Sequence, residues 1–282
     1  MPFRYRPDGD FVKNIDHNRR VMPYIMKSKM ESVVYFEQKI PSAKTWKFLN
    51  EFQQQTGIKA TIFHLVIWAG AKVIKDHPRL NRFISGKRIY QRRGTYMSFS
   101  AKKEMTKNSP IVAIKRKIDP HWDFATLVKH VSGTVQEGKS DKKSHTDKEL
   151  SLIFKFPRFI VSIFAYIIIK LDHFGLMPGF MIRNDPLFAS VFIANLGSIG
   201  LGAAYHHLFE YGTIPLFITI GKQENQPFVN SNNEIEVQPG VSLKYSFDER
   251  IADGFYCLRA IKQLEKIIND PYKFISLPTE NI

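Results

Sequence analysis

Two short stretches near the end of the chain carry the residues best suited to chemistry. Residues 246–254, SFDERIADG, set three carboxylates, Asp248, Glu249 and Asp253, around Arg250. Residues 205–210, YHHLFE, contain the adjacent pair His206 and His207. A histidine titrating near neutrality is the side chain best matched to taking a proton from a thiol or hydroxyl. A carboxylate with an ordinary pKa near ~4.3 is poorly matched to a thiol near ~8.5, unless burial or a like charge raises it. A base from the histidine pair, oriented by Glu249, would form a His–carboxylate pair. Two plainer readings stand beside it: histidines that are ordinary polar residues of a connecting turn, and a Glu249 that only forms an ion pair. Adjacent histidines cannot easily hold one metal from the same side. No third ligand stands at a recognisable spacing, so no metal site is expected. Cys257, with no cation beside it in sequence, reads as a buried, inert thiol.

The elements that would position these groups are legible from pattern. Residues 241–247 alternate and read as a strand leading into the carboxylate stretch. Residues 251–268 read as a helix leaving it, with Ile251, Phe255, Leu258, Ile261 and Leu264 on one side. Residues 187–194 and 214–222 are strongly β in composition, and the histidines fall in the connection between them. Upstream, residues 1–20 read as an N-terminal arm and residues 33–39 as a strand. Helices are expected over residues 42–55, capped by Ser42 and stopped by Gly57, and over residues 61–76, ended by Pro78. Short strands around residues 83–84, 96–100 and 111–117 precede a helix over residues 122–136. The polar stretch 138–148 reads as a loop. The uninterrupted apolar run at residues 159–169, FIVSIFAYIII, lies between Arg158 and Lys170. It falls short of the ~20 apolar residues a spanning helix needs, so a buried helix is expected, with an interfacial membrane helix as the alternative. Strands and helices are interspersed, which predicts an α/β or α+β class with a mixed sheet.

Composition narrows the setting. The 282 residues, 44% hydrophobic and 13% aromatic, supply ample core material for one domain spanning 1–282. One cysteine excludes a disulfide framework or a cysteine-based metal site. The polar N-terminus lacks a signal-peptide core, so a cytoplasmic location is expected. The net charge of +15 sits in the first half: residues 1–150 hold 30 Lys and Arg against 14 Asp and Glu, and the remainder hold 11 against 12. Such a surface attracts phosphates, acidic proteins or anionic lipids, or simply stays solvated. No nucleic-acid-binding signature is present.

Three stretches in order resemble the catalytic core of the dihydrolipoyl acyltransferases of 2-oxoacid dehydrogenase complexes, whose fold the chloramphenicol acetyltransferases share. Asn195-Leu196-Gly197 is similar to a family turn that follows a buried strand. Residues 216–221 are similar to a hydrophobic strand ending in Gly. Residues 246–254 are similar to the family's Ser-x-Asp-His-Arg-x-x-Asp-Gly at the start of the last helix. His77-Pro78-Arg79-Leu80-Asn81 is similar to a further His-Pro-x-x-Asn motif.

The resemblance implies a chloramphenicol acetyltransferase-like two-layer sandwich with a mixed sheet. It also implies a homotrimer, or a multiple of trimers, with the active site in a channel between subunits. Coenzyme A or acyl-CoA would be the co-substrate, with a thiol, alcohol or amine acceptor and no metal. No lipoyl or subunit-binding domain is expected before the core, so no covalently bound lipoyl group either. The chain departs from the family at two positions. Glu249 stands where the family has its base histidine, and Ala194 stands where an oxyanion-stabilising Ser or Thr hydroxyl is common; Ser198 could substitute from a shifted position. Asp253 is expected to hold the loop through Arg20 or Arg250, Gly254 to sit in tightly packed backbone, and Asn195 to support the turn. Two functions follow: an acyl-CoA-dependent acyltransferase with a relocated base, or a trimeric pseudo-enzyme serving as scaffold or ligand-binding module. A third, membrane-peripheral work on a lipidic acceptor, rests on the apolar run and the basic half.

Overall fold

The computed structural model describes residues 6–102, 111–139 and 153–277. Six strands make one mixed sheet. These are β2 (Val33–Pro41), β5 (Thr95–Lys102), β6 (Ile111–Ile118), β7 (Val191–Asn195), β8 (Leu216–Val229) and β9 (Ile235–Asp248), in the order β2-β9-β8-β7-β5-β6. β7 runs parallel to both β5 and β8, and the other pairs are antiparallel. That central placement explains why residues 191–194 are all apolar and all buried. β9, by contrast, alternates. Val241, Leu243, Tyr245 and Phe247 enter the main core, while Ser246 and Lys244 face the other way and meet residues 205–206.

The first layer against the sheet is helical: α3 (Ala43–Thr56), α4 (Ile62–Asp76), α5 (Phe124–Lys139) and α8 (Gly254–Asn269). Gly57 ends α3 in the left-handed conformation with φ of 69°, as its position after the apolar stripe predicts. α8 starts three residues later than expected, because Asp253 caps it by accepting from the Tyr256 N–H. Its buried stripe is therefore Cys257, Ala260, Leu264, Ile267 and Ile268. Phe255 is 71% exposed, and Ile251 plugs the core from the loop before the helix.

Helix α4 contains a pH-sensitive cap. The Thr61 N–H donates to His64 Nδ1 at 3.2 Å, and His64 Nε2 lies 3.1 Å from Ser132 Oγ. Nδ1 accepts, so Nε2 carries the proton. Burial pulls His64 down to about 4. In the unfolded chain it titrates at 6.5, so below that pH the unfolded state binds a proton that the folded state refuses. We expect stability to fall between about pH 6.5 and 4 by on the order of 3 kcal/mol from this group. Urea titrations at several pH values should show a shallower fall for His64→Gln than for the parent.

The arm is more structured than its sequence predicts. β1 (Gly9–Phe11) joins β4 (Arg88–Arg92) and β3 (Arg82–Ser85) in a second sheet of order β1-β4-β3. Helices α1 (His17–Ile25) and α2 (Lys29–Ser32) follow β1. Arg6, fully buried, ties this unit to the end of helix α6 (Arg158–Phe174), bonding Asp8 at 2.9 Å, Asp172 at 2.8 Å and Ser85 at 2.7 Å. A short helix, α7 (Gly179–Asn184), follows α6.

Two expectations change here. The apolar run forms α6, yet no residue of that helix is buried; the core it was expected to enter is filled by α3, α4, α5 and α8. Residues 187–190, read as the start of a strand, instead turn around Asp185, whose Oδ1 accepts from the Leu187 N–H. The polar stretch 138–148 lies outside the described residues from position 140 onward.

Candidate active site

The carboxylate stretch leaves β9 as a tight turn built on a buried ion pair. Asp248 is 1% exposed and Arg250 4%. The Arg250 Nε donates to Asp248 Oδ1 at 2.8 Å and Nη2 to Oδ2 at 2.7 Å. Arg250 Nη1 also donates to the Met26 carbonyl. This two-pronged geometry is what offsets the desolvation of both charges.

Beside that pair lies Lys29, which belongs to no recognisable motif. Its Nζ donates to the carbonyls of Phe209 at 2.7 Å and Gly212 at 2.8 Å. Burial pulls Lys29 down to about 8, opposed chiefly by the Asp248 carboxylate. Both accepting carbonyls belong to the loop that carries the histidines. Glu210 of the same loop caps α2, its two oxygens accepting from the N–H groups of Lys29 and Met30.

The rest of the loop is held as firmly. Thr219 Oγ1 donates to the Ala204 carbonyl at 2.6 Å. Tyr205 packs edge-on against Tyr35, lies under the Lys244 ammonium and donates to Glu37. The Ser246 hydroxyl donates to the His206 carbonyl. The His206 ring lies flat on Phe217, with centroids 3.9 Å apart and planes 4° apart. The two imidazoles stack on each other at 4.8 Å.

Both rings are fixed in one tautomer. His206 Nδ1 meets the His207 carbonyl at 2.7 Å, and His207 Nδ1 meets the Leu208 carbonyl at 3.1 Å. A carbonyl only accepts, so in the neutral ring each Nδ1 carries the proton and each Nε2 the lone pair. No Nε2 partner exists for either ring among the described residues. A free Nε2 lone pair on a ring pinned through Nδ1 is the arrangement a general base requires.

Glu249 sits elsewhere on the turn. Its N–H donates to the Ser32 carbonyl at 2.9 Å, and its own carbonyl accepts from Arg19 Nη1. Its carboxylate lies near Cys257, whose thiol is pushed up to about 12, first by burial and further by Asp253 and Glu249. Among the described residues no hydrogen bond or ion pair joins Glu249 to either histidine. The structure therefore does not bring together the His–carboxylate pair that the sequence made conceivable. Cys257 is 2% exposed and matches its expected inert role.

The supporting residues sort differently from expectation. Asp253 pairs with Arg19, at 3.7 Å, and not with Arg20 or Arg250; Arg250 is fully engaged by Asp248. A Cβ added at Gly254 would meet nothing within 4 Å in this chain, so the expected tight packing is absent there. It occurs at Gly197 and Gly221 instead. A Cβ on Gly197 would come 2.5 Å from the Gly221 carbonyl oxygen, and one on Gly221 2.5 Å from the Ala203 nitrogen. This close approach presses the Asn195 turn and the histidine loop onto β8. We expect Gly197→Ala to cost about 1–3 kcal/mol by overpacking, read as a lower urea midpoint at unchanged slope.

Ser198 is exposed, and its hydroxyl donates to the Asn195 carbonyl at 2.7 Å. Asn195 Oδ1 accepts from the Ser198 N–H at 3.3 Å, holding the turn as expected. The Ser198 proton is thus spent within the turn. Ala194 shares an apolar cluster with Leu208 and Phe217, directly under the histidine loop. His77 caps α4 and bonds Gln263 through Nε2, a structural use of the His-Pro motif.

A separate cleft of about 430 Å³ lies on the other side of α1. Its walls include His17, Arg20, Lys87 and Arg88 together with Phe11 and Tyr24. The described residues contain no cluster of three metal-ligating side chains.

Residues 188–276 match the model of the 2-oxoacid dehydrogenases acyltransferase catalytic domain. The match spans β7, the histidine loop, β8, β9, the carboxylate turn and α8. Over those residues the chain is similar in sequence to this acyltransferase family. A probable dihydrolipoamide acetyltransferase from Listeria monocytogenes 4b F2365 superposes with a TM-score of 0.61 at 16% identity, covering 97% of this chain and 98% of that one. The Azotobacter vinelandii dihydrolipoamide acetyltransferase gives 0.61 at 15% identity, covering 94% of each chain. That structure concerns a serine, a histidine and an asparagine in the catalytic mechanism of its enzyme. A chloramphenicol acetyltransferase gives 0.55 at 9% identity, covering 92% of this chain and 99% of that one. No curated protein matches the chain by sequence. At these identities the superpositions establish the fold, and the sequence match to the family model covers residues 188–276.

Proposed function

We propose that this acyltransferase-family chain moves an acyl group between coenzyme A and a thiol, alcohol or amine acceptor, with His206 as base and His207 beside it. The observation that carries this is the loop itself. Ser246, Thr219, Lys29 and Glu210 all spend hydrogen bonds on fixing it, and what they present is a pinned imidazole with a free Nε2 lone pair.

In the reaction, Nε2 accepts the proton of the attacking acceptor as its oxygen, sulfur or nitrogen bonds to the acyl carbon. The tetrahedral intermediate then collapses, the bond to the coenzyme sulfur breaks, and the proton returns to that sulfur. Glu249 acts as a turn residue, anchored through its backbone to Ser32 and Arg19. The cations of the α1 cleft suit the phosphates of a coenzyme A molecule. In a homotrimer, the oxyanion donor that Ala194 lacks would have to come from a partner subunit.

The scaffold reading keeps one observation in its favour: Ala194 offers no hydroxyl, and the Ser198 hydroxyl is committed to Asn195. Incubation of the purified protein with acetyl-CoA and a panel of acceptors that includes dihydrolipoamide separates the two. Catalysis predicts acceptor-dependent release of the free coenzyme thiol. Saturable acetyl-CoA binding with no release above background, across the panel, would establish the scaffold.

A further inference from the structure

Helix α6 is the most anomalous surface of the molecule. Phe159 is 65% exposed, Tyr166 61% and Ile163 55%, and Phe164, Ile167 and Ile169 are exposed as well. At ~100° per residue these six side chains sweep well over half of the helix circumference. Val161 and Ile168 are less exposed, and Ile168 packs against the small cluster of Met177, Ile182 and Phe188. A soluble helix resting on its own domain shows one apolar stripe and a polar back. This one has no polar back.

The charges around it have one sign on the outside. Lys155 and Arg158 precede the apolar run and Lys170 follows it, all three exposed. In its last turn, burial holds His173 below its usual value, with Lys170, Arg88 and Lys87 adding to the effect. The one acidic residue of the helix, Asp172, is turned inward onto Arg6. No helix among the described residues is long and apolar enough to cross a membrane. The apolar run is ~16 Å long at 1.5 Å per residue, about half of a bilayer's hydrocarbon thickness. A helix dipped end-on would carry Arg158 toward the bilayer centre. Lying in the plane, it keeps Arg158 and Lys170 both at the headgroups and buries the rings between them.

We propose that α6 seats this protein on an anionic lipid surface, lying in the interface plane with its aromatic and isoleucine side chains among the acyl chains. A flat protein face would cover one side of the helix only. A fluid apolar medium covers an arc of this width, and the flanking cations complement acidic headgroups. The seat uses no side chain assigned to acyl transfer, so it stands whether or not acyl transfer does.

Vesicle flotation of the full chain tests it. The wild type should float with phosphatidylcholine vesicles containing phosphatidylserine at low salt, and float less at high salt or without the anionic lipid. The double variant Ile163→Glu/Ile167→Glu, with unchanged circular dichroism, should lose about tenfold or more of the bound fraction. A Lys155→Gln/Arg158→Gln/Lys170→Gln variant should lose only the dependence on phosphatidylserine. Absence of wild-type flotation at low salt overturns the proposal, as does undiminished flotation of the glutamate variant. A wild type that stays off vesicles, while the glutamate variant changes its oligomeric state, would show that a second copy covers the helix instead.

Discussion

His206→Ala lowers the turnover number for acyl transfer by on the order of 10²–10⁴, the usual contribution of a positioned general base. The unfolding midpoint moves by no more than the loss of one ring stack, because the ring lies on Phe217 and carries no hydrogen bond to another element. His207→Ala, which removes a more exposed ring, has the smaller effect. Glu249→Gln stays within about tenfold of the parent, because the turn is anchored by the Glu249 backbone, which the change leaves in place. Steady-state rates on the acceptor found active with the parent would check all three. A Glu249→Gln loss as large as that assigned to His206, with both histidine variants near parental rates, would return the base to the position where the family places it.

Asp248→Ala is the most damaging single change expected for the fold. It leaves Arg250 and Lys29, both buried, without the carboxylate that faces them. Breaking one side of a buried pair costs on the order of 3–5 kcal/mol. Urea unfolding should show that loss. Because Lys29 also bridges to the carbonyls of Phe209 and Gly212, the same variant should open the histidine loop to proteolysis before global unfolding. Replacing both partners, as Asp248→Leu with Arg250→Met, should recover part of the loss, since two apolar groups leave no unpaired charge between them. Equal stability of Asp248→Ala and the parent would show that the pair is solvated.

Much of this molecule was readable from residue order, and the reasons differ by element. β9 alternates because one face meets the helices and the other the histidine loop, so a period of two survives in residues 241–247. α3 and α4 announce themselves through Gly57 and Pro78, local signals that need no tertiary context, whereas Ser42 holds the N-cap position of α3 without a side-chain cap bond. β1 and β4 leave no pattern in the sequence because three to five residues carry too little periodicity. The stripe of α8 is out of phase with its sequence pattern because Ile251 is apolar for the sake of the loop, and nothing local distinguishes a plug residue from the first turn of a helix. The setting of α6 is hidden for a related reason: ten apolar residues and one serine look alike whether protein or another medium surrounds them.

At the site, the motif in residues 246–254 located the turn correctly, and the histidines were visible by type. What binds the two together was not. Lys29 lies some 180 positions before the carbonyls it holds, and Arg19 some 230 before the turn it braces. Such partners are set by topology, and no spacing rule reaches across it. The carboxylate turn thus keeps its architectural half, Asp248 and Arg250, and applies it through Lys29 to the loop that bears the imidazoles.

The structure of this protein with coenzyme A bound tests that division of labour most directly. A histidine base predicts the coenzyme sulfur on the open side of the histidine loop, within hydrogen-bond reach of Nε2 of His206, with Glu249 away from it. A sulfur seated against the Glu249 carboxylate, with both imidazoles turned from it, would contradict the account.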